Sequence, residues 1–88
     1  MIGGNSLVMI NGRRAEYDMR ILGSNLKRLR IQNGFSVEDI RKYLGLGSVQ
    51  SVYQYENGVA LPRADSLLAL MELYGIMPSE LRNTDCNE

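Results

Sequence analysis

From residue 18 onward the apolar positions recur at helical spacing. Leu22, Leu26 and Leu29 repeat at intervals of four and three, which puts them on one face of a helix that Asn33-Gly34 closes. Phe35 is expected to plug the core at that turn. Ser36 precedes Asp39 by three residues, a capping-box spacing with aspartate in place of the usual Glu or Gln. The helix it opens runs to about Leu44 and should bury Val37, Ile40 and Leu44. Gly45-Leu46-Gly47 reads as a turn, and Ser48 is expected to cap a third helix over residues 48–57. In that helix Val52 and Tyr55 lie three apart and share a face that can be buried. Asn57-Gly58 ends it, because glycine accepts the left-handed conformation found just past a helix end. After Pro62, Leu67, Leu70 or Leu68, Met71 and Tyr74 form an apolar stripe up to Gly75. Pro78-Ser79-Glu80-Leu81 then opens a last short helix, with proline suited to an early helical position.

This pattern predicts an all-α domain of five helices over residues 19–83, followed by a tail over 84–88. The middle pair of helices is separated by about three residues, the spacing of a helix-turn-helix. Residues 1–18 form a separate arm beginning with Gly3-Gly4-Asn5-Ser6. Within it Asn11-Gly12 sits between Leu7-Val8-Met9-Ile10 and Arg13-Arg14-Ala15-Glu16-Tyr17. Asn-Gly favours a type I′ hairpin, since both turn positions take positive φ. Two readings stay open for the arm: a short β-hairpin, serving as a dimerisation strand or as a DNA-contacting arm with Arg13 and Arg14, or a disordered extension.

Composition narrows the function. The chain has no histidine and one cysteine, Cys86. A histidine-based triad, a His/Cys zinc site and an internal disulfide are therefore excluded. No glycine-rich phosphate loop or Asp-rich metal loop occurs, so no enzyme, cofactor or metal is expected. No apolar run approaches the ~20 residues of a membrane span, and residues 7–10 are too short for a signal peptide core. The expected compartment is the cytoplasm, at the nucleoid. Net charge is zero, but it is unevenly spread. Residues 1–42 hold eight basic and four acidic side chains, whereas residues 43–88 hold two basic and six acidic. A locally basic face can still neutralise phosphates, while the acidic half faces away from DNA or meets a basic protein.

The third helix carries the chemistry. Gln50, Ser51, Tyr53 and Gln54 point away from the Val52–Tyr55 face, and all four bear uncharged hydrogen-bonding groups. A glutamine amide can donate to and accept from adenine in the major groove, which points to a base-reading helix. Around it stand Leu29-Arg30 followed by Gly34, Ser36-Val-Glu-Asp-Ile40, Leu44-Gly45, Tyr55-Glu56-Asn57-Gly58 and Leu61-Pro62. Leu67-Leu68-Ala69-Leu70, Tyr74-Gly75-Ile76 and Ser79-Glu80-Leu81 complete the series. In this order and spacing the chain resembles, over about residues 20–82, the Xre/Cro-like helix-turn-helix family, which includes the lambdoid phage repressors.

The resemblance implies that the second helix crosses the DNA backbone and the third enters the major groove by its N-terminal half. It makes Val49, Gln50, Tyr53 and Gln54 the base readers, with Val49 limited to apolar contact such as a thymine methyl. Ser48 and Ser51 would contact phosphate or base edges. Lys27, Arg28, Arg41, Lys42 and Asn57 are the further phosphate candidates, with helix-start N–H groups contributing. Arg30 and Glu56 match positions that form a buried ion pair in the phage repressors, a structural role. Two positions depart from the family: Val37 stands where a phosphate-contacting glutamine is frequent, and Arg41 where a small alanine is. The turn before Ser48 is also one residue longer than in many members. Arg41 is too large for a tight inter-helix contact, so either the second helix is shifted or Arg41 points outward.

The function expected is a sequence-specific transcriptional regulator of double-stranded DNA, a repressor acting as a homodimer on a pseudo-palindromic operator. Its dimer contact would come from the last helix, through Leu81 and nearby apolar groups, or from the N-terminal hairpin. The alternative is an antitoxin or adaptor whose acidic half holds a second, basic protein.

Overall fold

The structure, a computed structural model, describes residues 16–82. The two readings of the N-terminal arm over residues 1–15 and the tail over 84–88 lie outside the described residues. Residues 16–18 lead without regular structure into the first helix. Five helices follow: α1 (Met19–Gln32), α2 (Val37–Leu44), α3 (Val49–Glu56), α4 (Ala64–Tyr74) and α5 (Ser79–Arg82). Every regular element among the described residues is a helix, as the periodicity predicts.

Local chemistry sets where these helices begin and end. The Asp18 carboxylate accepts hydrogen bonds from the Arg20 and Ile21 N–H groups at 2.8 and 3.4 Å, satisfying two of the orphan donors of α1. At the far end the Asn33 side-chain amide donates to the Leu29 carbonyl at 2.7 Å. The capping box at α2 is complete: the Asp39 N–H donates to Ser36 Oγ at 3.0 Å and the Ser36 N–H to Asp39 Oδ2 at 2.9 Å. The second bond favours the ionised carboxylate, and the Asp39 pKa lies below its ordinary value, chiefly through the Ser36 backbone N–H.

One apolar core joins all five helices: Leu22, Leu26 and Leu29 of α1, Ile40 of α2, Val52 of α3, Leu70 and Tyr74 of α4, and Leu81 of α5. The ambiguity in the α4 stripe resolves onto Leu70, which is 2% exposed, and away from Leu68, which is 61% exposed. Phe35, Val37 and Leu44 pack against this core but remain only partly buried, so they border it rather than fill it. Leu81 is 1% exposed. It therefore seals the bottom of α1 and offers nothing to a partner, which corrects the expectation that it makes the dimer contact. The Asn25 side chain reinforces that seal by donating to the Leu81 and Glu80 carbonyls at 2.8 and 3.4 Å, groups that a helix end leaves unpaired.

Candidate nucleic-acid interface

Helix α3 is held along its inner side by a side chain, a charge and a missing side chain. Val52 is 1% exposed and inserts into the core. Glu56 is buried at its last turn, where Arg30 of α1 reaches it through two bonds: Nε to Oε2 at 2.7 Å and Nη2 to Oε1 at 3.2 Å. The third nitrogen, Nη1, donates to the Phe35 carbonyl at 3.0 Å, so this guanidinium ties α1, the α1–α2 turn and α3 together. The hydrogen bonds that Arg30 donates to Glu56 raise its pKa above the ordinary value, outweighing the opposing effect of burial. Gly23 supplies the missing side chain, since a Cβ there would meet the Tyr55 and Glu56 carbonyls. Here α1 and α3 run close enough that only hydrogen fits between them.

The end of α3 is equally defined. The Val59 N–H donates to the Gln54 carbonyl at 2.9 Å and the Gly58 N–H to the Tyr55 carbonyl at 3.3 Å, the paired bonds of a Schellman motif. Gly58 takes φ +75°, and a Cβ there would lie 2.9 Å from the Arg20 Cα, so both its backbone angle and its space call for glycine. The start of α3 is different. Ser48 stands at the N-cap position in extended conformation, yet its side chain makes no capping hydrogen bond. That corrects the expected cap. The Ser48 position is right, and its hydroxyl takes no part in starting the helix.

On its outer side α3 presents Gln50 and Tyr53, both exposed, together with the partly buried Val49, Ser51 and Gln54. Gln50 lies three residues before Tyr53 and four before Gln54, so the three side chains project from adjoining parts of one surface. Tyr55, expected on the inner face, is only partly buried. Neither a histidine nor a charged side chain occurs among the outward residues of this helix, and the surface suits hydrogen bonding without proton transfer.

The basic candidates divide by what already occupies them. Lys27 and Lys42 are exposed and enter no ion pair among the described residues. Arg28 donates to Asn25 Oδ1 at 3.2 Å and to Gln32 Oε1 at 3.3 Å along its own helix. Arg41 is bound by Glu38 and the Leu46 carbonyl, so it does not point freely outward. This bond to Arg41 is the main reason the Glu38 pKa lies below its ordinary value, and the same bond raises that of Arg41. Asn57 is exposed just past α3. Sequence reasoning missed Gly23, Asn25 and Tyr43, whose hydroxyl donates to the Ala69 carbonyl at 3.0 Å. An isolated glycine inside a helical pattern was the available signal for Gly23.

A family model described as a helix-turn-helix domain matches residues 21–84. The restriction-modification controller protein C.AhdI from Aeromonas hydrophila superposes with a TM-score of 0.62 at 30% identity, covering 73% of this chain and 96% of that one. The DNA-binding domain of BldD superposes with a TM-score of 0.61 at 28% identity, covering 75% of this chain and 94% of that one. Among curated proteins no match is found. No helix among the described residues is long and apolar enough to cross a membrane.

Proposed function

Because the chain belongs to the helix-turn-helix domain family, we propose that it is a sequence-specific DNA-binding transcriptional regulator that reads the major groove with α3. One observation carries the reading. An eight-residue helix is anchored from behind by Val52 and the Arg30–Glu56 pair and presents the uncharged groups of Gln50, Tyr53 and Gln54 outward. Such groups can donate to and accept from base edges in the major groove, a glutamine amide above all toward adenine. The controller protein and the DNA-binding domain that superpose on the chain support the same assignment. Lys27 and Lys42 are the phosphate contacts of first choice, because each ammonium group is exposed and enters no ion pair among the described residues. Ser48, Ser51 and Asn57 serve as polar phosphate contacts around α3.

The working form is a homodimer acting as a repressor. One helix reaches only a few base pairs, and a pseudo-palindrome with half-sites about 34 Å apart doubles the information read. With Leu81 buried, the exposed Leu61, Leu68 and Met77 supply the apolar surface on which that contact is built. The same exposed surface, on the acidic half of the chain, favours as a second reading an adaptor that grips another protein.

Selection of bound duplexes from a random pool tests the proposal. The expected product is a short symmetric motif with half-sites one helical turn apart. Recovery of no enriched sequence would refute base readout, and an asymmetric single site would refute the dimer.

A further inference from the structure

Residue 41 is bonded to the α2–α3 turn from both of its ends. Its backbone carbonyl accepts from the Leu46 N–H at 3.0 Å, and its Nη1 donates to the Leu46 carbonyl at 2.9 Å. Both polar backbone groups of Leu46 are thus held by one residue of the preceding helix. The rest of the guanidinium is held in turn: Nε donates to Glu38 Oε1 at 2.8 Å and Nη2 to Glu38 Oε2 at 2.7 Å, one turn back along α2. Between these anchors the chain passes through Gly45 at φ +71°, and the Leu46 side chain packs against the core. Only Gly47 and Ser48 separate this fastened point from the first residue of α3.

Resting on the DNA-binding reading above, we propose that Arg41 is a positioning residue that sets how α3 leaves the turn, and so how its glutamines meet the bases, and that it is not a phosphate contact. Two physical arguments support this. First, the forked bond to the Glu38 carboxylate makes the pair electrically neutral, so it displaces little counterion from DNA. Second, three bonds from one planar group, two parallel ones to Glu38 and one to the Leu46 carbonyl, define an orientation, which a single flexible ammonium does not. The pair is partly exposed, with side-chain exposures of 28% and 48%, so it adds little to global stability. Its effect falls on the direction of the turn.

The test measures binding of the full chain to a selected duplex and to a random duplex, each over a range of salt, for wild type and for Arg41→Ala, Arg41→Lys and Glu38→Gln. Urea unfolding of each variant accompanies the titrations. The expected result is that Arg41→Ala and Arg41→Lys both lower the selected-to-random affinity ratio by about tenfold, comparable to one misaligned base contact. The salt slope on the random duplex stays unchanged, and lysine does not rescue. Glu38→Gln, which loosens the fork that orients the guanidinium, lowers the ratio as well, and an unchanged ratio in this arm would overturn the inference. If Arg41→Ala unfolds the chain, the Glu38→Gln arm decides alone. A shallower slope by about 0.9 per protomer with an unchanged ratio in Arg41→Ala, or full rescue by lysine, would overturn the inference and leave the DNA reading standing. Wild type that shows neither salt-dependent nor selective binding overturns both.

Discussion

Replacing Gly23 by alanine sets two physical effects of opposite sign against each other. In the interior of an isolated helix the change stabilises by about 1 kcal/mol, because alanine loses less backbone freedom than glycine. In this fold the added Cβ would be forced into the Tyr55 carbonyl and would sit 2.7 Å from the Glu56 oxygen and 2.9 Å from its carbon. These are backbone atoms of α3, so no rotamer change relieves them. Only separation of α1 from α3 does, and that movement also stretches the Arg30–Glu56 bonds. Overpacking typically costs about 1–3 kcal/mol, and an obstacle made of backbone belongs at the upper end. Subtracting the propensity gain leaves a net loss of about 2 kcal/mol, or a fall in Tm on the order of 10 °C for a domain of this size. Urea and thermal unfolding followed by circular dichroism measure it. Ser24→Ala, an exposed change on the same helix, is the control and should stabilise slightly. A Gly23→Ala variant whose midpoint rises like the control would refute the close approach of α1 and α3.

Three further outcomes follow from the same contacts. Glu56→Ala strands the buried Arg30 guanidinium and should cost about 3–5 kcal/mol in urea unfolding, while the double replacement Arg30→Met with Glu56→Met recovers much of that loss. Ser36→Ala removes one bond of the α2 capping box and should lower stability by about 1 kcal/mol on the same assay. Burial raises the Tyr74 phenol from 10.0 to about 12, helped by the nearby Glu56 charge. A folded-state pKa above the unfolded one means that this contribution is complete below pH 10 and is lost as pH rises through 12. Unfolding free energies measured across that window should fall in wild type and fall less in Tyr74→Phe.

Features whose cause is local were legible before the fold was known. Asn33-Gly34, the Ser36–Asp39 spacing, Asn57-Gly58 and Gly75 each end or start a helix by chemistry within a few residues, and the structure places them so. The Leu22, Leu26, Leu29 stripe needed only its period. Features whose cause lies across the fold were not legible. Gly23 is explained by the carbonyls of another helix, and the choice between Leu68 and Leu70 by which side of α4 meets the core. Leu81 is one apolar position in a four-residue helix, and its burial in the core depends on how that helix meets the rest of the fold. The size of Arg41 suggested a shifted α2 or an outward side chain. Its actual partner, a turn carbonyl five residues on, depends on a backbone direction that periodicity does not encode.

The claim that α3 reads bases is tested most directly by one substitution measured on two ligands. Fluorescence anisotropy would compare wild type and Gln54→Ala on a selected and on a random duplex at equal salt. Affinity for the selected duplex should fall by about 1–3 kcal/mol per half-site while affinity for the random duplex stays nearly unchanged. Equal losses on both duplexes would contradict the claim, because Gln54 would then support the fold or the phosphate backbone and not the reading of sequence.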